Sequence, residues 1–214
     1  VFSGHSSAEL IAKYQPAKLA ASEGHYEAQA PADLYLFGWV NEKEERVDFG
    51  VRLPGMLSQL LYGDKTHPVT GLRAYPSEDR PPVQIVFQAY HLMIGIGMLL
   101  LVLNLTGAFL LFRGKLFECV PVLWCFVISV LGPQIANQAG WITAEVGRQP
   151  WIVHGLLRTS EGLSKTVQAD LVVTSLVMFT VVYLLLFVLF IFLLDHKIRK
   201  GPEGAEATGD LHRA

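Results

Sequence analysis

The sequence is poor in cysteine and in net charge, and these two shortages exclude several classes of protein. Only two of the 214 residues are cysteines, Cys119 and Cys125, and the spacing C-x5-C matches no common zinc or redox motif. The formal net charge is −2, which leaves no basic surface for binding nucleic acid. We therefore expect two thiols buried as small apolar residues and no nucleic-acid partner.

A start methionine and a secretory leader are also missing. The chain begins at Val1 with the polar stretch VFSGHSSAEL, whereas a signal peptide has a basic segment followed by a short apolar one. We therefore expect a fragment or a processed chain, from which part of an active site is absent.

Apolar residues are abundant, but mainly after residue 82. They make up 51% of the chain. Residues 1–82 instead contain 11 acidic and 8 basic side chains, which is typical of a water-facing region. We therefore predict three parts: an outer, extracytoplasmic region at 1–82, a membrane region at 83–195, and a disordered cytoplasmic tail at 196–214.

Three apolar runs are long enough for helices that cross a bilayer, which takes about 20 residues. They cover Ile85–Phe112, Leu116–Ala144 and Ala169–Leu194, and Gly132 with Pro133 is predicted to bend the second. In hydrocarbon only helices or closed barrels satisfy their backbone, and runs of this length favour helices. The predicted fold is an all-α integral membrane protein with three transmembrane helices of a larger helical bundle, preceded by a mixed extracytoplasmic loop region.

Short basic flanks predict the orientation. Arg113 and Lys115 follow the first run, and HKIRK follows the third, so both flanks are predicted to face the cytoplasm. Residues 1–82 and the loop at 146–168 then lie together on the opposite side. That loop also carries cations, which we interpret as functional rather than as a sign of inverted topology.

The outer region has predicted elements of its own. AELIAKYQPAKLAASEGHYE, residues 8–27, has helical spacing that is broken at Pro16. PADLYLFGWVNEKEERVDFGVRLP predicts two short strands around a charged turn at Asn41–Glu45. Five prolines from Pro54 to Pro82 predict a loop that leads to the first span.

A polar stripe in the second run needs an explanation. It comprises Gln134, Gln138, Trp141, Glu145 and Arg148, whose spacing places them on one helix face. Ionisable groups at membrane depth usually face a bundle interior or a water-filled path. Two interpretations remain open on the residues alone: hydrogen bonds and an ion pair between helices, or a path for protons or ions.

The first run contains a histidine and a methionine near its outer end, in AYHLMIGIGM. His91 and Met93 are two residues apart, so they point to different sides of a helix. Gly95 and Gly97 allow the close approach of a flat partner or another helix. A His and Met pair is one way to hold low-spin haem iron, whereas a lone methionine is more often core packing.

Together these segments resemble subunit I of the cytochrome bd family of quinol oxidases. The resemblance rests on QPAKLAASEG at 15–24, GWITAEVGRQPW at 140–151 and GLLRT at 155–159, which stand in the family's order. It covers residues 1–200 and matches only the C-terminal part of a nine-span subunit. It implies a bacterial cytoplasmic (inner) membrane location, with residues 1–82 outside and the C terminus in the cytoplasm.

The resemblance implies a quinol site in the outer region. A lysine and a glutamate that the family uses in quinol binding and oxidation correspond to Lys18 and Glu23. A carboxylate can accept a proton that quinol oxidation releases, and a lysine can stabilise the developing anion. Without the resemblance, the two residues would read as part of a solvated surface.

The resemblance also implies three haems. Met93 corresponds to an axial ligand of a low-spin haem b whose histidine ligand belongs to the absent N-terminal part, and His91 lies near that haem without ligating it. Glu145, the predicted catalytic residue, corresponds to an iron ligand or its close neighbour at a pair formed by a high-spin haem b and a haem d or second-type haem. Trp141 packs in the same cluster, and Arg148 neutralises haem propionates.

The implied function is that of a terminal respiratory oxidase, which oxidises quinol on the outer side, reduces dioxygen to water and generates proton motive force. The implied partners are subunit II, the N-terminal portion of subunit I, a small accessory subunit, quinol, dioxygen and membrane lipid. The family's first six spans are absent, and the loop at 54–82 lacks the large insertion of some members. The alternatives are a non-enzymatic three-span membrane protein or an inactive fragment, whose stripe serves helix packing or proton relay.

Overall fold

The computed structural model describes residues 2–163 and 166–201. They divide into two compact units, with the boundary between Gly162 and Leu163. The helices are α1 (Phe2–Tyr14), α2 (Pro16–Glu23), α3 (Met56–Tyr62), α4 (Val83–Phe112), α5 (Val120–Ser129), α6 (Gly132–Val146) and α7 (Ala169–Lys200). The strands are β1 (Leu34–Asn41), β2 (Arg46–Leu53), β3 (Trp151–Val153) and β4 (Leu157–Arg158).

Three helical segments of the described residues are long and apolar enough to cross a membrane. They are Ser77–Phe112, which contains the whole of α4, Val120–Val146, which combines α5 and α6, and Ala169–Lys200, which is α7. The two small antiparallel sheets, β1 with β2 and β3 with β4, lie outside these segments. The predicted fold class, three membrane helices preceded by a mixed region, is therefore confirmed.

The second span is interrupted where the sequence predicts a bend. α5 ends at Ser129 and α6 begins at Gly132, with Pro133 in its first turn, where the missing N–H of proline breaks no helical hydrogen bond. The span starts at Val120 rather than at the predicted Leu116, because residues 116–118 form a 3-10 turn.

The outer helices break at proline, as predicted. α1 ends at Tyr14 and α2 begins at Pro16, with Gln15 between them. α2 ends at Glu23, before the predicted limit at residue 27, because Gly24 adopts φ +68°, the left-handed conformation that favours glycine.

Gly24 also provides space around the end of α2. A Cβ atom built on it would lie 2.7 Å from Val47 Cγ2 and 3.1 Å from ring carbons of Phe87. β2, which contains Val47, and α4, which contains Phe87, therefore pack closely around Gly24. Phe87 is completely buried there.

β1 and β2 form the predicted hairpin, with Asn41 opposite Arg46 at the charged turn. A strand of a two-stranded sheet has an open edge with unpaired backbone groups. Three side chains on one face of α4 hydrogen-bond to the backbone of β1. They are Gln84, which accepts from Val40 N at 2.9 Å, Gln88, which donates to Gly38 O at 2.8 Å, and His91, 2.9 Å from Tyr35 O.

The stretch from Pro54 to Pro82 is more ordered than the predicted loop. It contains α3 and two 3-10 turns. Leu57 and Leu61 are one turn apart in α3, are 1% and 2% exposed, and pack in a cluster with Leu19. Leucines at i and i+4 favour a helix, and here that signal outweighs the flanking prolines.

Two smaller predictions need correction. Cys125 is exposed and Cys119 is only half-buried. The reason for Cys125 is that α5, which contains it, buries none of its residues against the rest of the chain. α7 continues to Lys200, so residues 196–200 of the predicted disordered tail are helical. The rest of that tail, from residue 202, lies outside the described residues.

Replacing Gln88 with leucine is expected to loosen the hairpin from α4. The change removes one hydrogen bond to β1, a loss of about 1 kcal/mol. Trypsin should then cleave faster after Lys43 and Arg46 in and beside the turn. Gln59→Leu is the matched control, because the Gln59 amide donates only locally, to Gly63 O. Equal cleavage rates in the two variants would show that the Gln88 hydrogen bond does not hold the hairpin on α4.

Candidate functional site

The end of α6 meets α2 of the outer region. Lys18 Nζ donates a hydrogen bond to Ala144 O at 3.1 Å, one of the terminal carbonyls that a helix leaves without an intrahelical partner. A cation at this end also interacts favourably with the helix dipole. The segments QPAKLAASEG and GWITAEVGRQPW, which lie far apart in the sequence, are therefore in direct contact.

Gly147 allows the lysine side chain to cross the end of α6. A Cβ atom on Gly147 would lie 3.2 Å from Lys18 Cγ, 3.3 Å from Lys18 Cε and 2.4 Å from Thr143 O. The last of these is a backbone atom, which cannot move away easily. A larger residue here would therefore collide with the backbone of α6 itself and would also crowd the Lys18 side chain of α2.

Three charged groups gather at this end of α6. Glu145 and Arg148 form an ion pair one turn apart, and Lys18 interacts with both charges. Burial lowers the pKa of Lys18, the nearby Arg148 cation lowers it further, and Glu145 partly offsets these effects. Since the ion-paired side chains are 37% and 42% exposed, the pair contributes little to stability in this chain.

The polar stripe lies on the open side of α6. Gln134, Gln138, Trp141 and Arg148 are exposed and Glu145 is half-buried, while Ala139 and Thr143, on the opposite face, are buried. In the described residues the stripe therefore does not contribute to packing between α6 and α4. That it faces the interior of a larger bundle stays a prediction.

Met93 lies where α4 packs against α6. A Cβ atom on Gly140 would lie 2.8 Å from Met93 Sδ, so the glycine makes room for the thioether. Beside it is an open cavity of about 640 Å³, within the range of about 300–1,000 Å³ that is usual for ligand pockets. Its lining is Met93, Ala136, Asn137, Gln138, Gly140, Trp141 and Ala144.

The lining of this cavity fits a haem. Ala136, Gly140 and Ala144 recur every four residues, so they form a row of small side chains along α6, beside the larger side chains of the same lining. A flat group can approach such a row closely, and the Met93 thioether beside it is a known type of axial ligand. Trp141 adds an aromatic surface at the same place.

His91 is engaged through both ring nitrogens. Nδ1 lies 2.9 Å from Phe87 O and Nε2 lies 2.9 Å from Tyr35 O, and the ring stacks on Phe87 at 4.0 Å between centroids. A neutral imidazole can donate to only one of these carbonyl oxygens, but each ring nitrogen faces a backbone carbonyl, so neither is directed at a metal site in this arrangement. His91 connects the hairpin to α4.

Glu23 is buried, not part of a solvated surface. It is 1% exposed at the end of α2, and its Oε2 atom has no hydrogen-bond partner among the described residues. Burial raises the pKa of Glu23 to about 8, and the Tyr90 hydroxyl only partly offsets this effect. The carboxyl group therefore holds its proton near neutral pH.

Sequence reasoning missed several contacts that position the site. Arg158 pairs with Asp79 at 2.7 Å and lies over the Trp151 ring at 5.0 Å. These contacts bring the segment at 147–162 against residues 76–82, at the same end of α4 and α6. The number of spans predicts that the two segments lie on the same side of the membrane, and Arg158 belongs to the GLLRT block. No sequence pattern, however, marks Asp79 as the partner of Arg158.

The fold and the site define a helical membrane protein with a polar outer region held on the ends of two spans, beside a cavity lined by a methionine and small residues. A family profile for cytochrome bd terminal oxidase subunit I matches residues 1–202. The chain therefore belongs to the cytochrome bd terminal oxidase subunit I family.

Individual relatives agree with this assignment. Cytochrome bd ubiquinol oxidase subunit 1 of Bacillus subtilis is 35% identical over 94% of this chain and 45% of its own length. A putative cytochrome bd menaquinol oxidase subunit I of the same organism is 33% identical over 93% of this chain and 44% of its own length. The structure of the bd oxidase from Geobacillus thermodenitrificans matches with a TM-score of 0.74 and 36% identity, over 93% of this chain and 45% of that one.

The chain thus spans about half the length of the relatives that it matches. The matched family model and the matched structure both cover the outer region and the membrane helices described here. Family membership and fold are therefore established for this chain, together with its identity as a membrane protein.

Glu23→Gln is expected to flatten the pH dependence of stability. A glutamate titrates near 4.5 when unfolded, and Glu23 titrates near 8 in the fold, so the folded state holds the extra proton between these values. The unmodified protein should lose stability as pH rises through this window, whereas glutamine cannot ionise. The measurement is the apparent Tm at about pH 5 and about pH 8.5.

The exposed Glu78, in a 3-10 turn of the outer region, provides the control variant Glu78→Gln. This variant should keep the slope of the unmodified protein. An unchanged slope in Glu23→Gln would mean that this carboxyl group does not titrate as its burial requires.

Proposed function

We propose that this chain is the C-terminal part of subunit I of a membrane quinol:oxygen oxidoreductase, a terminal respiratory oxidase. The observation that carries the proposal is the hydrogen bond from Lys18 to Ala144. It joins α2, which carries the residues that resemble a quinol site, to the end of α6, which carries the residues that resemble a haem site. Oxidation of the substrate and acceptance of its electrons would then take place a short distance apart.

Quinol is oxidised beside α2. The ammonium group of Lys18 stabilises the anion that forms as the quinol loses a proton. Glu23 accepts a proton in the minority of molecules in which it is ionised at neutral pH, because its pKa is about 8. In that form it is a stronger base than an ordinary carboxylate. Because Glu23 is buried between α2 and α4, the proton reaches it along this helix contact.

Residues of α4 and α6 hold the cofactors. Met93 supplies the thioether for a low-spin haem b, and His91 keeps the hairpin in place near it. Glu145 supplies a carboxylate at the site of a high-spin haem b and a haem d or second-type haem, Trp141 packs beside that site, and Arg148 pairs with propionates. When bound, these haems would supply the electron-transfer and dioxygen-reducing chemistry.

The enzyme lies in the bacterial cytoplasmic (inner) membrane, with residues 1–82 outside and the C terminus in the cytoplasm. Protons released outside and taken up inside generate proton motive force. The partners are subunit II, a small accessory subunit, and the N-terminal portion of subunit I, which supplies the remaining haem ligands. Membrane lipid covers apolar side chains that are exposed on α4 and α7, such as Leu105 and Phe192.

Met93→Leu is expected to remove the low-spin b band from the reduced-minus-oxidised visible spectrum of the complete complex, because leucine has no thioether. Met98→Leu is the matched control on the same helix, where Met98 is 56% exposed, and it should keep the band. Persistence of the band in Met93→Leu would exclude Met93 as the ligand. Absence of haem from the unmodified complex, despite stable insertion, would favour a non-enzymatic three-span membrane protein.

Lys18→Met is expected to raise the KM for quinol by roughly 10- to 100-fold, the cost of losing a charged hydrogen bond. Methionine keeps an unbranched stem that can pack on Gly147 but has no ammonium group. The haem spectrum should stay unchanged. The control is Lys13→Met, since Lys13 is exposed at the end of α1. An unchanged KM in Lys18→Met would remove this lysine from the quinol site.

A further inference from the structure

A small polar cavity lies where α2, the GRQPW segment and residues 79–81 meet. Its volume is about 20 Å³, which exceeds the roughly 10–15 Å³ that one water molecule needs. The side chains that give it a polar lining are Gln15, Lys18, Asp79, Arg148, Gln149, Trp151 and His154.

Two of these side chains carry buried polar atoms without a hydrogen-bond partner among the described residues. They are Gln15 Oε1, which is an acceptor, and Trp151 Nε1, which is a donor. Buried polar atoms are nearly always hydrogen-bonded in folded proteins. Both residues line the same small cavity, so one group that donates and accepts could satisfy the two atoms together.

The indole donor is held in place. Arg158 lies over the Trp151 ring at 5.0 Å, and the His154 ring contacts it at 5.9 Å between centroids. Arg158 is in turn paired with Asp79 at 2.7 Å. The unpaired Nε1 atom thus belongs to a ring with fixed neighbours rather than to a free surface side chain.

We propose that this cavity binds one hydroxyl-type oxygen, which accepts a hydrogen bond from Trp151 Nε1 and donates one to Gln15 Oε1. A water molecule or a hydroxyl group of the quinol can supply it, because both donate and accept. The volume excludes a quinol ring, so only the oxygen of a quinol would enter. Two of the three charges in the lining are already paired, Arg148 with Glu145 and Asp79 with Arg158.

The bound oxygen adds a second connection between α2 and the GRQPW segment, next to the direct contact of Lys18 with Ala144. It would keep Lys18 in position beside Arg148. If the bound oxygen belongs to water, the proposal is independent of the proposed function. If it belongs to quinol, the proposal rests on that function.

A double-mutant cycle on the complete complex tests the proposal. Gln15→Leu and Trp151→Phe each remove one partner and keep most of the side-chain volume. The measurements are the apparent Tm without quinol and the KM for a short-chain ubiquinol. If the two residues share one oxygen, the double variant should be little worse than the poorer single variant. Trp124→Phe, on the exposed face of α5, is the matched control.

The outcomes separate the two sources. Non-additive changes in Tm without quinol identify water, and non-additive changes confined to KM identify the quinol hydroxyl. Additive changes in both measurements overturn the proposal. Haem spectra of the same samples show separately whether the proposed oxidase function holds.

A high-resolution structure of the unmodified complex gives a test that does not depend on variants folding. We expect a density peak within hydrogen-bonding distance of both Gln15 Oε1 and Trp151 Nε1. A protein side chain or a haem carboxylate at that position, or no density both with and without added quinol, would overturn the proposal.

Discussion

The arrangement of the outer region depends on hydrogen bonds from side chains to backbone groups that helix ends and sheet edges leave unpaired. Lys18 satisfies a terminal carbonyl of α6. Gln84, Gln88 and His91 satisfy the open edge of β1. These bonds determine where α2 and the hairpin lie against α4 and α6, and the candidate site is formed at that junction.

Burial acts on the two proposed quinol residues in opposite directions, for one physical reason. A group away from water is less stable in its charged form. The pKa of Glu23 is therefore raised and that of Lys18 lowered, which brings both groups closer to neutral pH. In our proposal these shifted proton affinities are what suits the two residues of α2 to the release of protons from quinol.

The open surfaces of the chain are consistent with its place in a longer protein family. Its relatives are about twice as long. The polar stripe on α6 and the cavity beside Met93 both lie on the side of α6 that this chain leaves uncovered. In our proposal the remaining spans and the haems cover this side, which is why polar residues such as Gln138 can be exposed here without forming a contact in the chain.

The sequence by itself determined the three spans, the break at Pro16, the hairpin and the face of α6 that carries Glu145, because these follow from local periodicity and from proline. It also indicated the residues that carry the family resemblance. Only the tertiary structure decided that Glu23 is buried, that Lys18 reaches Ala144, and that α3 forms in a proline-rich stretch. Such features depend on contacts between segments distant in sequence, and no local pattern encodes which segments will meet.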